Sequence, residues 1–270
     1  MRRVLTIAGP VIIAAIVALP LGWALVASFT PEATLFRGVM PSPGELTLAN
    51  YRAVFEERDF WAPIRSSLIV ASVTTVLCLA IGTMAAYALV RLRVPYARVI
   101  LFAMLAATMF PQISIVSPLF LLLRWMRLID TYPGLILPYL TFALPLAVWL
   151  LVGVFRQLPP ELEEAALVDG TSHWGAFTRV ALPLAAPGIA TVGIVTFLFA
   201  WNEFLFALSF TLGAERQTVP VAIALFRGQY QVPWGEVLAA SMIATLPVLL
   251  VVVLFQRRIV QGLTSGAVTG

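Results

Sequence analysis

Six long stretches of this sequence contain almost no charged residues, and this feature limits the chain to very few folds. A helix crosses the roughly 30 Å hydrocarbon core of a bilayer in about 20 residues, and each stretch is at least that long. Only 11% of the 270 residues are charged, against about 25% in a typical soluble domain. We therefore predict an all-α, polytopic membrane protein that forms a single domain over residues 1–270.

The charged residues that flank each stretch give the bounds of the predicted membrane helices. The fifth stretch contains Glu203 and is too long for one crossing, so it must also hold an apolar loop. The first stretch is far longer than the apolar part of a signal peptide, which predicts an uncleaved helix. The six helices are predicted at about 6–29, 66–90, 99–123, 131–155, 183–206 and 237–256.

Three residue counts exclude most catalytic and metal chemistry. All 17 basic residues are arginine, so the chain has no P-loop lysine to bind ATP phosphates. The single cysteine, Cys78, excludes a disulfide framework, and the single histidine, His173, excludes a histidine-rich metal site. The net charge of +4 is spread along the chain and does not indicate a nucleic-acid partner. We therefore expect no catalytic residue, bound metal or cofactor in this chain.

The distribution of arginine predicts the orientation in the membrane. With the N-terminus inside, the inner segments hold nine arginines and the longer outer segments hold eight, so arginine is denser inside. The clearest inner marks are Arg91, Arg93, Arg98, Arg257 and Arg258. Both termini are therefore expected in the cytoplasm.

The polar loop 156–179 has the local signals of a helix-turn-helix on the inner face. Pro159 and Pro160 suit a helix start, and three glutamates follow in the first turns, where the helix dipole favours carboxylates. Gly170 fits the left-handed residue that ends a helix, and Thr171 or Ser172 can cap a second short helix. A small apolar face on the first helix comprises Leu162, Ala165 and Ala166.

This loop resembles the EAA loop of permease subunits of bacterial ABC importers. The matching residues are Glu164-Ala165-Ala166, Gly170 and Val180-x-Leu182-Pro183, at the family's spacing throughout and with Val180 for Ile as the one departure. Further similarity to the sugar-importer branch lies at Leu48-x-Asn50-Tyr51, Tyr132 to Leu137, Trp201-Asn202-Glu203-Phe204 and Phe255 to Gly266. Arg65-Ser66-Ser67 departs from the Asn-Ser of many relatives. The resemblance covers the whole chain and is closest to the smaller, six-helix permease of maltose- and trehalose-type importers.

The resemblance implies a transport subunit rather than an enzyme, placed in the bacterial cytoplasmic membrane. It implies a homologous second permease, two ATPase subunits that use ATP and Mg at the cytoplasmic face, and an extracytoplasmic sugar-binding protein. The EAA helix docks in a cleft of the ATPase and carries its motion into the membrane. The implied coupling residues are Leu162, Glu164, Ala165, Ala166, Asp169, Gly170, Leu182 and Pro183. The implied substrate is a disaccharide or oligosaccharide such as trehalose or maltose.

Other polar residues within or beside the apolar stretches are candidates for the transport route. Prolines break the third predicted helix, which makes Gln112 and Ser114 candidate pathway residues, or else marks a packed kink. Asn202 and Glu203 are candidate gate residues, or else Glu203 reaches interfacial water. A candidate contact for the binding protein, or alternatively an interfacial aromatic belt, comprises Arg227, Gln229, Tyr230 and Trp234.

Two other functions are compatible with part of the sequence. The same architecture could import a different solute, such as a glycerol phosphodiester, but the six apolar stretches contain no arginine to line a route for an anion. An ion-coupled secondary transporter needs ionisable relay residues within its membrane helices, and Glu203 is the one candidate. The sequence therefore favours a neutral sugar and an ATP-driven importer.

Overall fold

The computed structural model describes residues 2–37, 41–226 and 232–264, and within these ranges the chain is largely helical and contains no strand. The helices are α1 (Arg2–Ser28), α2 (Glu32–Leu35), α3 (Ala49–Glu56), α4 (Trp61–Arg91), α5 (Ala97–Thr108), α6 (Gln112–Trp125), α7 (Tyr132–Arg156), α8 (Glu161–Val168), α9 (His173–Ala176), α10 (Leu182–Asn202), α11 (Leu205–Phe210), α12 (Val219–Ala224) and α13 (Trp234–Thr264). Shorter turns comprise 3₁₀ segments at Pro43–Glu45 and Ala214–Arg216 and a π-helical segment at Phe177–Ala181.

Several of these helices have the length and apolar character of membrane spans. Among the described residues, four segments are long and apolar enough to cross a membrane: Trp61–Arg91, Tyr132–Arg156, His173–Asn202 and Trp234–Leu254. The pair of α5 and α6 adds a fifth if it forms one broken span, and α1 contains a shorter apolar segment, Ile12–Ser28. The all-α, polytopic fold is therefore confirmed, while the count of six crossings stays a prediction.

The third predicted helix, 99–123, is divided into two helices. α5 ends at Thr108, α6 begins at Gln112, and the two are bent by 91° at the break. Pro111 stands at the N-cap of α6 with φ −59° and ψ 122°. Proline has no N–H to donate to the preceding turn, so the α5 backbone ladder cannot continue through it.

The fifth predicted helix, 183–206, begins and ends earlier than expected. α9, the π-helical segment and α10 form one helical run from His173 to Asn202. Glu203 then adopts an extended conformation, with φ −67° and ψ 129°, and the chain turns into α11. The run of apolar residues continues beyond Glu203, which is why hydropathy alone placed the helix end too late.

Buried side chains form two clusters, one toward each end of α4. The Trp61-end cluster contains many large side chains, among them Phe60, Tyr139, Trp201, Phe206 and Phe210. The Arg91-end cluster combines small and aromatic residues, among them Cys78, Ala86, Tyr87, Ala147, Phe155 and Phe177. α4 and α7 pack closely against each other in the Arg91-end cluster, since a Cβ on Gly82 of α4 would lie 3.2 Å from Cδ1 of Leu151 on α7.

Candidate functional site

The loop between α7 and α10 folds into the helix-turn-helix that its sequence predicts. α8 begins after Pro160, whose carbonyl accepts from the amides of Glu163 and Glu164, both at 3.0 Å. α8 ends at Val168, and Gly170 follows with φ +83°, a backbone conformation that glycine adopts without steric cost. The amide of Gly170 donates to Leu167 O at 3.1 Å and that of Thr171 donates to Ala166 O at 3.0 Å. These two bonds form a Schellman motif, which fixes where α8 stops.

The second short helix is capped by Ser172 rather than Thr171. Ser172 Oγ accepts from the amide of Gly175 at 3.2 Å. A side chain at Gly175 would collide with Thr171, so the turn also requires a small residue there. α9 then continues through the π-helical segment into α10, which links the loop to a membrane-spanning helix without a break.

The two sides of α8 have opposite surroundings. We define the exposed face of α8 as Leu162, Glu164, Ala165 and Val168, which all lie open to solvent. Val168 is 87% exposed and Leu162 47% exposed, so the face combines apolar side chains with a carboxylate. Trp174, which is 64% exposed, follows in α9. An exposed apolar surface with a polar component is typical of a protein contact.

The remaining coupling residues predicted from the sequence divide between the surface and the interior. Asp169 and Gly170 are exposed at the end of α8, and Ala166 is half-buried. Leu182 is half-buried and packs against the Arg91-end cluster, whereas Pro183 beside it is exposed. The loop therefore holds most of the predicted set at one surface, but Leu182 belongs to the interior.

The inward side of α8 is defined by Glu163, which the sequence analysis did not single out. Glu163 is 6% exposed, and its Oε1 accepts from Arg91 Nε at 2.8 Å. Arg91 Nη2 also donates to Leu158 O at 2.8 Å. In the sequence, Arg91 served only to predict the orientation in the membrane. Its partner, Glu163, lies 72 residues further along the chain. Helical spacing alone gives no sign of such a contact.

Glu203 and Asn202, the candidate gate residues, point into different surroundings. Glu203 is 7% exposed, and its two carboxylate oxygens accept from Phe206 N at 2.8 Å and Ala207 N at 3.1 Å. Asn202 is exposed, and its Nδ2 donates to Leu198 O of its own helix at 2.8 Å. Glu203 thus caps the start of α11 and makes the sharp end of α10 possible.

The other candidate transport residues lie at helix ends. Gln112, half-buried, and Ser114, exposed, stand in the first turn of α6, directly after the bend. Trp234 begins α13, is 50% exposed and donates its amide to Glu32 Oε1 at 3.3 Å. Arg227, Gln229 and Tyr230, the other predicted binding-protein contacts, lie outside the described residues.

A recess at the Trp61 end is a further feature that the sequence did not reveal. It has a volume of 920 Å³ and lies between α3 and the segment that precedes it. Its lining combines charged and apolar side chains, with Arg52 and Glu56 on α3, Glu57 just after α3, and Phe29 and Leu46 opposite. No group of three or more His, Cys, Asp or Glu residues in the described part of the chain is placed to hold a metal ion.

Comparison with known proteins relates this arrangement to membrane transport. Residues 78–265 match the family described as binding-protein-dependent transport system inner membrane component. The chain is 46% identical to the trehalose transport system permease protein SugB of Mycobacterium tuberculosis, over 93% of this chain and 92% of that protein. It is 40% identical to the trehalose/maltose transport system permease protein MalG of Thermococcus litoralis, over 100% of this chain and 98% of that protein.

The fold is also similar to that of a solved transporter. A chain of a bacterial ABC transporter involved in the import of the acidic polysaccharide alginate superimposes with a TM-score of 0.79 at 23% identity, over 94% of this chain and 96% of that chain. The relatives and the solved structure cover nearly the whole sequence, and the family match covers residues 78–265. This chain therefore belongs to the family of inner membrane components of binding-protein-dependent transport systems, and specifically to its sugar ABC permeases.

Proposed function

We propose that this chain is the translocating permease of an ATP-driven importer for a disaccharide or short oligosaccharide of the trehalose or maltose type. The observation that carries the proposal is the capped helix-turn-helix, which presents the exposed face of α8 at the start of a continuous membrane helix. The named substrates of two relatives, each aligned over more than nine-tenths of this chain, support the choice of sugar.

In this proposal the exposed face of α8 is the contact for a partner ATPase. Two ATPase subunits bind ATP and Mg at the cytoplasmic side, and this chain binds neither. Leu162, Ala165 and Val168 provide apolar contact area, and Glu164 pairs with an arginine or lysine of the ATPase. Closure of the ATPases biases the membrane helices between two states, and α8 is the mechanical link.

The transport route itself requires further partners. A homologous second permease completes the route, and an extracytoplasmic binding protein delivers the sugar to the Trp61 end. Candidate contacts for that protein are Arg227, Gln229, Tyr230, Trp234 and the recess beside α3. Both termini lie in the cytoplasm, which places the Arg91 end and α8 on the ATPase side of the bacterial inner membrane.

Uptake of radiolabelled trehalose into proteoliposomes that contain the complete complex tests the proposal. The binding protein is supplied outside the liposomes, together with the labelled sugar. Glu164→Lys places like charges at the ATPase contact, so uptake is expected to fall by roughly tenfold or more. Gln157→Lys introduces the same lysine side chain at an exposed position before α8 and is expected to keep uptake. Wild-type uptake by the Glu164→Lys complex would contradict the coupling assignment.

A different solute is the second candidate, and one relative favours it. The chain is 39% identical to the sulfoquinovosyl glycerol transport system permease protein SmoH of Agrobacterium fabrum, over 93% of this chain. Competition distinguishes the two candidates in the same assay. We expect unlabelled maltose or trehalose to suppress uptake of the label, and sulfoquinovosyl glycerol to leave it unchanged.

A further inference from the structure

The inward side of α8 is attached to α4 by a buried ion pair. Arg91 and Glu163 meet at 2.8 Å, with side chains only 16% and 8% exposed. Arg91 lies in the last turn of α4 and Glu163 in the first turn of α8, so each charge also suits the dipole of its own helix. The contact is therefore favourable on both helices and joins two segments that are far apart in sequence.

Arg91 contacts a second segment as well. Its Nη2 donates to the carbonyl of Leu158, in the short connection between α7 and α8. The planar guanidinium thus bonds to a side chain of α8 and to the backbone just before α8 at the same time. Both bonds together fix the position and the rotation of α8 relative to the end of α4.

Packing next to Arg91 continues the connection into the interior. Tyr87 lies one turn earlier on α4, and its ring is 5.7 Å from that of Phe155 on α7 and 4.7 Å from that of Phe177 in the π-helical segment. The end of α4 is therefore in contact with α7 and with the base of the α10 run. A displacement of this end moves all three elements together.

We infer that Arg91 is a positioning residue for coupling, which holds α8 to α4 so that motion imposed on the exposed face of α8 reaches α4 and α7. The inference rests on the proposed function, since it requires an ATPase at that face. Without Arg91, the carboxylate of Glu163 has no compensating charge inside the protein and turns out to water. α8 then keeps its packing against α9 and the π-helical segment but has lost its ion pair with α4, and it shifts under load without moving α4.

The inference predicts a loss of coupling rather than a loss of the complex. In proteoliposomes of the full complex, Arg91→Gln and Glu163→Gln are expected to keep most of the ATP hydrolysis while trehalose uptake falls, so that ATP hydrolysed per sugar imported rises roughly tenfold. Arg91→Lys keeps the charge but loses the two-point geometry, so an intermediate ratio is expected. Arg98→Gln removes an exposed arginine from the next helix and is the matched control, with a wild-type ratio.

Two outcomes would overturn the inference. The ion pair plays no part in coupling if Arg91→Gln and Glu163→Gln hydrolyse as much ATP per sugar imported as Arg98→Gln does. A parallel fall of ATP hydrolysis and uptake in Arg91→Gln, Arg91→Lys and Glu163→Gln, with the complex dissociating during purification, means that the pair serves assembly only.

A further variant separates failure of this inference from failure of the proposed function. Ala165→Trp enlarges the exposed face of α8 and leaves Arg91 and Glu163 in place. If Ala165→Trp releases the ATPase while Arg91→Gln behaves like Arg98→Gln, only the inference fails. If Ala165→Trp changes neither ATPase binding nor uptake, the exposed face is not the ATPase contact and the proposed function fails with it.

Discussion

The carboxylates that accept from backbone amides at the Trp61 end have different surroundings from most carboxylates of the loop between α7 and α10. At the Trp61 end, Glu203 turns inward to cap α11, and Asp130 Oδ1 accepts from the amides of Leu212 and Gly213 at 3.0 and 3.2 Å. At the Arg91 end, three of the four acids between α7 and α10 are exposed, and Glu163 alone among them is buried. A backbone break within apolar surroundings needs hydrogen-bond acceptors, whereas exposed carboxylates on a loop remain available for a partner.

Glu203 and Asp130 therefore contribute to the stability of the fold. The exposed acids Glu161, Glu164 and Asp169 make no such contribution, which leaves them available for the proposed contact with the ATPase. Removing the Glu203 carboxylate leaves the buried amides of Phe206 and Ala207 without an acceptor, which is costly. Removing an exposed carboxylate of the loop between α7 and α10 leaves the fold nearly unchanged. The two classes of variant should therefore separate cleanly by stability and by transport.

The largest expected effect on stability is at Glu203. Glu203→Ala leaves the buried amides of Phe206 and Ala207 without their acceptor, and we expect the free energy of unfolding to fall by about 3 kcal/mol. Thermal unfolding of the purified complex in detergent measures this. Asn202→Ala removes an exposed side chain next to it and is expected to have little effect. Equal melting temperatures for the two variants would refute the capping role.

The next effect is expected at the end of α8. Gly170 has φ +83° and open space around it, so Gly170→Ala is strained by backbone conformation alone, by about 1 kcal/mol. Gly153→Ala is the matched control, since it also adds a methyl group in open space but lies within α7, where alanine is favoured over glycine. The melting temperature is expected to fall for Gly170→Ala and to rise for Gly153→Ala. Shifts of the same sign would show that the positive φ of Gly170 is not the cause.

Gly170→Asp extends that test to transport. The strained turn alters how the exposed face of α8 is presented, so trehalose uptake is expected to be abolished while the protein still inserts in the membrane. Membrane fractionation confirms insertion, and the uptake assay measures transport. Uptake at the wild-type rate would show that the geometry of this turn does not matter for coupling.

The smallest effect is expected at an exposed acid of the Trp61 end. Two hydrogen bonds from Ser42, from its amide at 2.8 Å and its hydroxyl at 3.0 Å, hold the pKa of Glu45 below its usual value. The resulting stabilisation is present above the pKa of the unfolded chain and is lost as the pH falls through the lower pKa of the folded chain. Ser42→Ala should raise this pKa, measured by carboxyl ¹³C NMR of the full chain in nanodiscs.

Hydropathy and capping signals predicted the helix positions that depend on residues close together in the sequence. The long apolar stretches gave the positions of α4 and α7 within a few residues, and Pro160 and Gly170 bounded α8 correctly. These signals did not predict that Glu163 faces inward and Glu164 outward. Glu163 is buried because Arg91 lies beside it, and that proximity arises only when α4 and α8 are assembled.

The end of the fifth helix illustrates the same limit. Phe204 and the residues after it are as apolar as α10, so composition gives no reason to stop at Asn202. The helix stops because the Glu203 carboxylate satisfies the amides of a new helix. The bend at Pro111 was easier to foresee, since proline's effect is local, but its angle of 91° depends on how the two halves pack.

The unbroken run from His173 to Asn202 has a consequence for the size of motions. Its 30 residues, at 1.5 Å each, make a rod of roughly 45 Å. A tilt of about 5° at the His173 end displaces the far end by about 4 Å. That far end stops at Glu203, directly against α11, so a small rotation beside the turn at Gly170 becomes a shift of atomic dimensions at the opposite side of the molecule.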